Sequence, residues 1–600
     1  MPARAPAPLL PRAGPDGGGA AVAPGLRAPA VGSRPPGSER APAAPHGVAP
    51  AGHPVRRPAR GRGVEGESLT NAPIGRLAGA VLVPGLLGAL LVLPAPAAPQ
   101  PGGAFRLAFG TDPPTLDPAQ ASDTTSSTVI RQIFDALLEL DERLEVRGAL
   151  AERWTVSADQ RVYTFHLRAG VRFQNGRGLG ATDVKYSFER AARGKRPWVF
   201  EKIAGARDFI RGRSPEIAGI RIGGERSVEI TLERPFAPFL YLMAYDAASV
   251  VPREEVARRG ATFASHPVGT GAFRLAEWRH DDELVLERFP EHFRGAPLLN
   301  RIVFRIIPTE ITRFNEYRTG NLDVTDIPTG YCRRVQRDPR TGPDVAIWPT
   351  LGTSAVRFNV ERPPFDDRRI RLAIAHAVDP RVAVRGLLED CVSPPRGILP
   401  PAMPGFDERV RPLAFDPARA RQLLASAGFP GGLGLPRVAY YYNTTELNQR
   451  IAELIQAELR EIGIRLELRR LDWAAHIKLV DEGTAGFFRQ GWIADYPDPE
   501  NFLTVLFHSR NVGAAGNTSR YRNPAVDRLL DEADAMPPGA ARFARYREAE
   551  QRILDDAVWV SLYHYSSRTL IKPYVRGLER SPLSSAPEFL APLRKVWLAR

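Results

Sequence analysis

Apolar and polar residues alternate in several short segments of the chain, and this period of two predicts β-strands. The segments that show it are 105–109, 162–167, 284–288 and 302–306. Between the second and third of these segments, Thr182 is predicted to cap a helix over 183–192, because a Thr hydroxyl can accept a hydrogen bond from the first helical turn. The chain beyond Gly103 is therefore predicted to be mixed α/β.

Helix start and stop residues are clearest in the C-terminal half. Asp416 followed by Pro417 predicts the beginning of a helix, and Gly428 predicts its end. Thr445 is predicted to cap a second helix that ends at Gly463. The apolar face of that helix consists of Leu447, Ile451, Leu454, Ile455, Leu459 and Ile462. Its spacing indicates one side packed against a sheet.

Strands flank these helices in a regular order. Short β-rich runs occupy 438–442, 464–468 and 486–492, and a third helix is predicted near 473–480. The order strand–helix–strand–helix–strand is typical of parallel strands joined by right-handed crossovers. In such sheets ligands bind beyond the carboxyl ends of the strands.

The first hundred residues have a different character. Residues 1–70 are rich in Ala, Pro, Gly and Arg, with too few large apolar side chains to offset the entropy of ordering, so we expect a disordered tail. Residues 71–97 have the pattern of a cleavable signal peptide. A cluster of Arg residues comes first, an apolar run follows over 77–93, and an A-x-A cleavage site lies at 95–97. A membrane anchor is the alternative, although Pro84 and several glycines interrupt the run. No Cys lies near Ala97, so a soluble periplasmic product without a lipid anchor is expected.

Charge and cysteine content narrow the classes of function. The formal net charge is +14, from 81 Lys and Arg against 67 Asp and Glu, and much of the excess lies in the N-terminal segment. No basic run with interleaved aromatics follows, so nucleic-acid binding is not expected. Cys332 and Cys391 lack zinc-ligand spacing. They are either one disulfide or two unrelated buried thiols.

A candidate binding site follows the last predicted strand, in the sequence GWIADYPDPENF at 491–502. Asp495 stands three residues after Trp492 and next to Tyr496, and Pro497 and Pro499 stiffen the loop. A carboxylate held beside aromatics at a crevice suits a ligand cation such as an α-ammonium group. The alternative is that Asp495 caps a turn and the aromatic residues are core.

Seven segments, in this order, resemble the family 5 extracellular solute-binding proteins of ABC importers, the group that includes the oligopeptide- and dipeptide-binding proteins. They are TLDPA (115–119), LAERWTVSADQRVYTFHLRAGVRFQNG (150–176), ATDVKYSFER (181–190), HPVGTGAFRLAEW (266–278), FNVERPPFDDRRIRLAIAHAVD (358–379), FDPARARQLLASAGFP (415–430) and GWIADYPDPENF (491–502). The likeness extends from about 102 to about 577.

The resemblance implies a two-lobed type II periplasmic binding fold with an extra subdomain inserted in the N-terminal lobe. The lobes would be joined near 350–358 and 565–575. The expected boundaries are 98–145 and 266–350 for the N-terminal lobe, 146–265 for the inserted subdomain, 351–570 for the C-terminal lobe, and 571–600 for a return to the N-terminal lobe.

The resemblance also implies a function. Asp495 matches the acidic residue that pairs with the free amino terminus of a peptide, and the ligand-loaded protein, a monomer, would dock on a membrane permease powered by an ATPase. Dipeptide-specific members carry an Arg shortly before the Asn that matches Asn443, but here Tyr440, Tyr441 and Tyr442 occupy that place. Oligopeptides are therefore expected, and Tyr441 and Asn443 join the candidate ligand-binding residues, although core packing explains at least one of the tyrosines.

Other constellations carry less weight. His280, Asp281, Asp282 and Glu283 are metal-ligand types, but they join two predicted strands and are expected to form a solvated hairpin turn. No nucleophile elbow, HExxH or phosphate loop is present, so no catalytic residue, metal or cofactor is assigned. The alternatives to a peptide ligand are a nickel chelate, glutathione or a sugar. A secreted hydrolase is the alternative from another class.

Overall fold

The computed structural model of the chain describes residues 102–514, 516–584 and 591–599. The predicted tail (1–70) and signal peptide (71–97) lie outside these residues. Within the described ranges, every helix is too short or too polar to span a membrane.

The N-terminal half contains three sets of elements. The first is β1 (Ala104–Phe109), α1 (Thr124–Ile133), β2 (Leu138–Leu140) and β3 (Val146–Gly148). The second is β4 (Ala151–Val156), β5 (Val162–Leu167), α2 (Ala181–Ala192), α3 (Ala206–Ile210), β6 (Ile220–Gly224), β7 (Ser227–Thr231), α4 (Phe239–Leu242) and α5 (Arg253–Arg259). The third is β8 (Phe273–Arg279), β9 (Glu283–Arg288), β10 (Arg301–Ile306), α6 (Glu310–Arg318), β11 (Val324–Asp326), α7 (Cys332–Arg337) and β12 (Val345–Phe358).

The C-terminal half is richer in helix. Its elements are α8 (Arg368–Ala377), α9 (Pro380–Val382), α10 (Pro417–Ser426), β13 (Val438–Asn443), α11 (Glu446–Glu461), β14 (Leu466–Leu471), α12 (Trp473–Asp481), β15 (Phe487–Arg489), β16 (Trp492–Ile493), α13 (Glu500–Phe507), α14 (Pro524–Ala535), α15 (Ala540–Asp555), β17 (Trp559–Ile571), β18 (Val575–Arg576) and β19 (Trp597–Leu598).

Two four-stranded sheets, together with the small β2–β3 pair, build the N-terminal half. One has the order β1-β10-β9-β8, with β1 parallel to β10 and the other pairs antiparallel. Its alternating strands bury Phe105, Leu107 and Phe304 in one core. The other sheet, β4-β5-β7-β6, is antiparallel and packs Phe165, Ile230 and its neighbours around a different core.

The C-terminal sheet contains the predicted parallel unit. Its order is β11-β17-β12-β15-β13-β14, with β16 paired to β12, and β13 is parallel to both β14 and β15. One face packs on a core that includes Tyr440 and Phe487, and the other packs on a core that includes Ala355 and Trp559. Burial on both faces explains why the central strands β13 and β15 are rich in aromatic residues, whereas the edge strand β14 carries charged residues on its exposed positions.

Two long strands, β12 and β17, connect the halves. Ala346 and Trp348 at the start of β12 belong to the N-terminal core, whereas Val356 and Phe358 at its end belong to the C-terminal core. The antiparallel pairing of β12 with β17 shifts register between Pro349 and Thr353. The ranges 350–358 and 565–575, where lobe crossings are expected, overlap these strands, and both the crossings and the lobe boundaries stay predictions.

Several local predictions are confirmed. Asp416 and Thr445 accept backbone N–H groups at the beginnings of α10 and α11, and Gly428 and Gly463 follow those helices with φ of +94° and +91°. Asp281, with φ of +60°, forms the predicted hairpin turn between β8 and β9.

Two details differ from the prediction. Thr182 does not cap its helix, because α2 begins at Ala181 and the Gly180 N–H donates to the Asp183 carboxylate instead (2.9 Å). The strand predicted over 464–468 lies two to three residues later, at Leu466–Leu471, because the chain must first turn out of α11 at Gly463. The open question about the cysteines is settled, since Cys332 and Cys391 form a disulfide.

Candidate functional site

A cleft with a cavity volume of about 80 Å³ lies between the two halves of the molecule. One wall is formed by Asp495 and Tyr496 of the segment 491–502, which we call the acidic loop. The opposite wall comes from α1 and from the stretch between α4 and α5. The charged and aromatic lining residues are Arg131, Phe134, Asp135, Glu139, Tyr241, Tyr245, Asp246, Asp495 and Tyr496. The cleft is therefore polar, with carboxylates on both sides.

Asp495 is half-buried at this cleft, and neutral groups hold its carboxylate. Its Oδ1 accepts from the Tyr245 hydroxyl (3.2 Å), and its Oδ2 accepts from the Asn501 amide (3.3 Å). Burial raises the pKa of Asp495, while the Asn501 hydrogen bond, the charge of Arg196 and the Tyr245 hydrogen bond oppose that rise. A carboxylate with these surroundings is stabilised further by any cation that enters the cleft.

Asn501 orients the acidic loop from the first turn of α13. Its Oδ1 accepts from the Trp492 indole N–H (2.9 Å) and from the Asp495 backbone N–H (3.0 Å). Gly491, just before the tryptophan, has no room for a side chain, because a Cβ there would lie 2.6 Å from the Thr353 carbonyl oxygen. Local sequence thus sets the direction in which Asp495 leaves the sheet.

Two further contacts anchor the loop. Arg542 of α15 forms a buried, two-pronged ion pair with Asp498, at 2.7 and 2.8 Å. The Tyr496 hydroxyl donates to Glu500, whose carboxyl is also buried and has its pKa raised to about 7 by that burial. Such charge-assisted bonds resist deformation, so the loop presents Asp495 from a rigid support.

Three aromatic rings form a wall beside the carboxylate. The Trp198 ring lies 5.3 Å from Tyr245 and 6.2 Å from Tyr496, measured between centroids. Tyr496 comes from the acidic loop but packs into the core of the N-terminal β4–β7 sheet. The predicted Asp495 and Tyr496 therefore meet residues far away in sequence.

A second set of charges lies behind Tyr245. Arg196 donates through Nη1 to both carboxylate oxygens of Asp246 (3.1 and 3.0 Å), and its guanidinium stacks 5.0 Å from the Tyr245 ring centre. Ser127 of α1 also donates to Asp246. The sequence analysis did not identify Arg196, Asp246 or Ser127 as site residues. One sequence signal was available, because Asp246 is a lone acidic residue within an apolar stretch, and a buried acid needs a partner.

The other predicted ligand-binding residues lie elsewhere. Trp492 packs partly against the C-terminal core, and Tyr441 packs against Val480 and Phe488. Asn443 accepts a hydrogen bond from Asn448 at 2.8 Å. None of the three predicted residues is among the described residues that line the cleft. Their roles stay predictions.

Arg489, at the end of β15, is a cation that the sequence reasoning missed. It is buried and donates to the Ser354 hydroxyl (3.0 Å) and the Tyr563 hydroxyl (3.3 Å). It forms no ion pair with a carboxylate among the described residues. Among the described residues, the side-chain groups that accept hydrogen bonds from its guanidinium are hydroxyls. Burial acts to lower the pKa of Arg489, but the neighbouring tyrosines outweigh this effect and raise the pKa above its usual value.

Two lobes connected by two strands, with a polar cleft between them, define a two-lobed solute-binding protein. A family model described as the bacterial extracellular solute-binding proteins, family 5 middle, matches residues 145–514. The chain belongs to this family.

Similar proteins have different ligands in their names. The chain is 28% identical over 512 residues to a probable deoxycholate-binding periplasmic protein of Escherichia coli, which covers 82% of this chain and 93% of that protein. It is 28% identical over 487 residues to the periplasmic oligopeptide-binding protein of the same organism, which covers 78% and 88%. The structure of an ABC transporter-associated periplasmic binding protein of Helicobacter pylori with the peptide STSA is 27% identical, with a TM-score of 0.71 over 84% of this chain and 99% of that one.

Proposed function

We propose that this protein captures oligopeptides in the interlobe cleft and binds their free amino terminus through Asp495. The single observation that carries the proposal is the state of that carboxylate. It is half-buried, faces a polar cleft, and both of its oxygens accept hydrogen bonds from uncharged groups. An α-ammonium group would supply the missing opposite charge, and water leaving the closed cleft would strengthen the attraction.

The remainder of a peptide would bind with little regard to sequence. An extended chain presents backbone donors and acceptors, and Trp198, Tyr245 and Tyr496 offer flat apolar surface beside them. The closed, loaded protein would then deliver its ligand to a membrane permease driven by an ATPase. The protein itself would act as a monomer and would release the peptide unchanged.

Export belongs to the same proposal. The signal peptide expected at 71–97, with no lipid-anchor cysteine near its end, would deliver a soluble protein to the periplasm. The Cys332–Cys391 disulfide supports an oxidising compartment, where such bonds persist.

The test compares tetra-alanine with N-acetyl-tetra-alanine by titration calorimetry. The parent protein should bind the free amine at least about tenfold more tightly, since losing a charged hydrogen bond costs roughly 1.5–3 kcal/mol. Asp495→Ala should abolish that difference, whereas Asp555→Asn, an exposed carboxylate change, should preserve it. Equal binding of both peptides by the parent protein would contradict the ammonium site.

A hydrolase would behave differently from a binding protein. Mass spectrometry of the peptide after prolonged incubation should recover it intact. Shortened products, absent from a no-protein control, would favour the enzyme alternative.

A further inference from the structure

Arg196 lies beside the proposed amino-terminal subsite without belonging to an ion pair with Asp495. It is half-buried between α2 and the turn at Pro197–Val199. Its guanidinium stacks 5.0 Å from the centre of the Tyr245 ring, and the Tyr245 hydroxyl donates to Asp495 at 3.2 Å, so both charged groups contact the same tyrosine. Arg196 nevertheless pairs only with Asp246 among the described carboxylates. The site thus contains a carboxylate and a separate guanidinium as near neighbours.

Part of the Arg196 guanidinium is uncommitted. The described hydrogen bonds to Asp246 and Ser127 all come from Nη1, and none comes from Nε or Nη2. An arginine fork can bind a carboxylate with two parallel N–H donors, so one such pair remains available. Stacking on Tyr245 holds the guanidinium plane in place.

Asp246 does not need the whole charge of Arg196. Ser127 also donates to the Asp246 carboxylate, and Arg131, which lines the same cleft, adds a second nearby positive charge. Burial opposes ionisation of Arg196, but Tyr245, Asp246 and Asp495 together keep its pKa above the usual value. The guanidinium therefore stays charged directly behind Tyr245 and Asp246, which line the cleft, and it attracts a ligand anion that reaches this wall.

We propose that Arg196 makes the amino-terminal subsite selective for peptides whose first residue carries an acidic side chain. The inference rests on the proposed function, since it requires Asp495 to hold the α-ammonium group. In Asp and Glu the side-chain carboxylate is separated from the α-carbon by only one or two methylene groups. A first residue of this kind would hold its negative side chain close to its positive ammonium group. The ammonium would then bind Asp495 while the side-chain carboxylate binds Arg196.

The experiment titrates Glu-Ala-Ala-Ala, Gln-Ala-Ala-Ala and Lys-Ala-Ala-Ala into the protein at neutral pH. The glutamine peptide has the same length, shape and free amine as the glutamate peptide but no charge on its side chain. The parent protein should prefer glutamate over glutamine by roughly tenfold or more, and lysine should bind more weakly than glutamine.

Two variants separate recognition from folding. Arg196→Gln should reduce the glutamate preference to about onefold, but it leaves the buried Asp246 without its arginine. The double change Arg196→Gln with Asp246→Asn removes the pair together and should give the same loss of preference. Lys195→Gln removes an exposed positive charge one residue away and should keep the preference of the parent protein.

The outcomes distinguish this inference from the proposed function. If the three peptides bind equally to the parent protein, peptide capture stands and the role of Arg196 fails. If the preference survives in both Arg196 variants, another residue reads the acid and the inference also fails. If no peptide binds while the protein is folded, the proposed function itself fails.

Discussion

The side-chain amide of Asn501 sets the direction of the Asp495 carboxylate. It joins Trp492 and Asp495 through three hydrogen bonds, and its own side chain is buried. Buried donors that lose their acceptor cost more free energy than an exposed hydrogen bond contributes. A small change at this position should therefore disturb both stability and binding.

Asn501→Ala should lower the free energy of unfolding by about 2 kcal/mol and weaken peptide binding, because the Trp492 indole and the Asp495 N–H lose their acceptor. Urea unfolding and calorimetry measure the two effects. Asn321→Ala, on the exposed surface, is the matched control and should change neither. A fully stable Asn501→Ala protein with normal affinity would show that the loop is held by Asp498 and Glu500 alone.

Glu550 is a residue where burial controls pH dependence. Its Oε1 accepts the backbone N–H groups of Ile398 and Leu399 (2.6 and 3.0 Å), and burial raises its pKa to about 7. The folded protein keeps this proton up to about pH 7, whereas the unfolded chain loses it near 4.5. The stability contributed by the proton is therefore present below 4.5 and is lost as the pH rises through 7.

Glu550→Gln keeps the acceptor oxygen and cannot ionise. The variant should be more stable than the parent protein above pH 7, by about 2 kcal/mol, and this advantage should vanish near pH 4. Urea unfolding across this range measures the difference, with Glu548→Gln on the same helix as the surface control. An advantage that is constant with pH would mean that packing rather than ionisation changed.

The sequence contained part of this residue-scale information. Asp495 was recognisable because it follows a strand and sits among aromatics and prolines. Tyr245 and Arg196 were not, because each is contributed by a connection whose position depends on how the N-terminal sheets pack. Tyr441 shows what strand alternation cannot predict. Alternation placed Tyr441 on the face opposite Tyr440 and Tyr442, but it did not show whether that face contacts a ligand or a helix.

At the scale of elements, β12 and β17 determine how the lobes can move. Between them, Thr353 and His564 share a hydrogen bond (2.8 Å), and the Arg396 N–H donates to the other ring nitrogen of His564 (3.0 Å). Burial lowers the pKa of His564 to about 3, so this link is neutral at physiological pH. We expect any hinge bending between the lobes to occur in this pair of strands, whose pairing shifts register between Pro349 and Thr353.

The parallel β13–α11–β14–α12–β15 unit was predictable, whereas the hinge strands were not. Caps and helical spacing are local signals, and each helix of the unit carries them. β12 is buried along most of both faces, so its sequence shows no period of two. Only the family resemblance located the crossing.

The disulfide fastens an element of each half near the hinge. Cys332 begins α7, Cys391 follows the turn at Ala383–Leu387, and both share a small core with Leu570 of β17. The bond closes a loop of 59 residues, for which chain entropy gives about 4 kcal/mol.

Adding reductant, or replacing both cysteines with serine, should lower the melting temperature by comparable amounts. Reductant should not affect the double-serine protein, and an equal loss there would assign the effect to something other than the bond.

At the scale of the whole molecule, the site exists only after the chain has folded over itself. Arg131, Tyr245 and Asp495 come from three distant parts of the sequence and meet at one cleft. Composition and local sequence pattern do not show which distant residues come together at a cleft. The two-lobed architecture could be expected because seven segments resembled a family in order, and the geometry of the cleft had to come from the structure.

Trp198 gives this architecture an optical consequence. Its ring lies between Tyr245 of one wall and Tyr496 of the other, so any movement of the acidic loop changes its surroundings. Binding of peptide should shift the tryptophan emission. Trp198→Phe should remove most of that shift among the eight tryptophans of the chain, while Trp473→Phe, which is 60% exposed on α12, should leave it intact. An unchanged shift in Trp198→Phe would show that the emission change arises at another tryptophan. If the shift is lost, the fluorescence of Trp198 reports ligand capture without any attached dye.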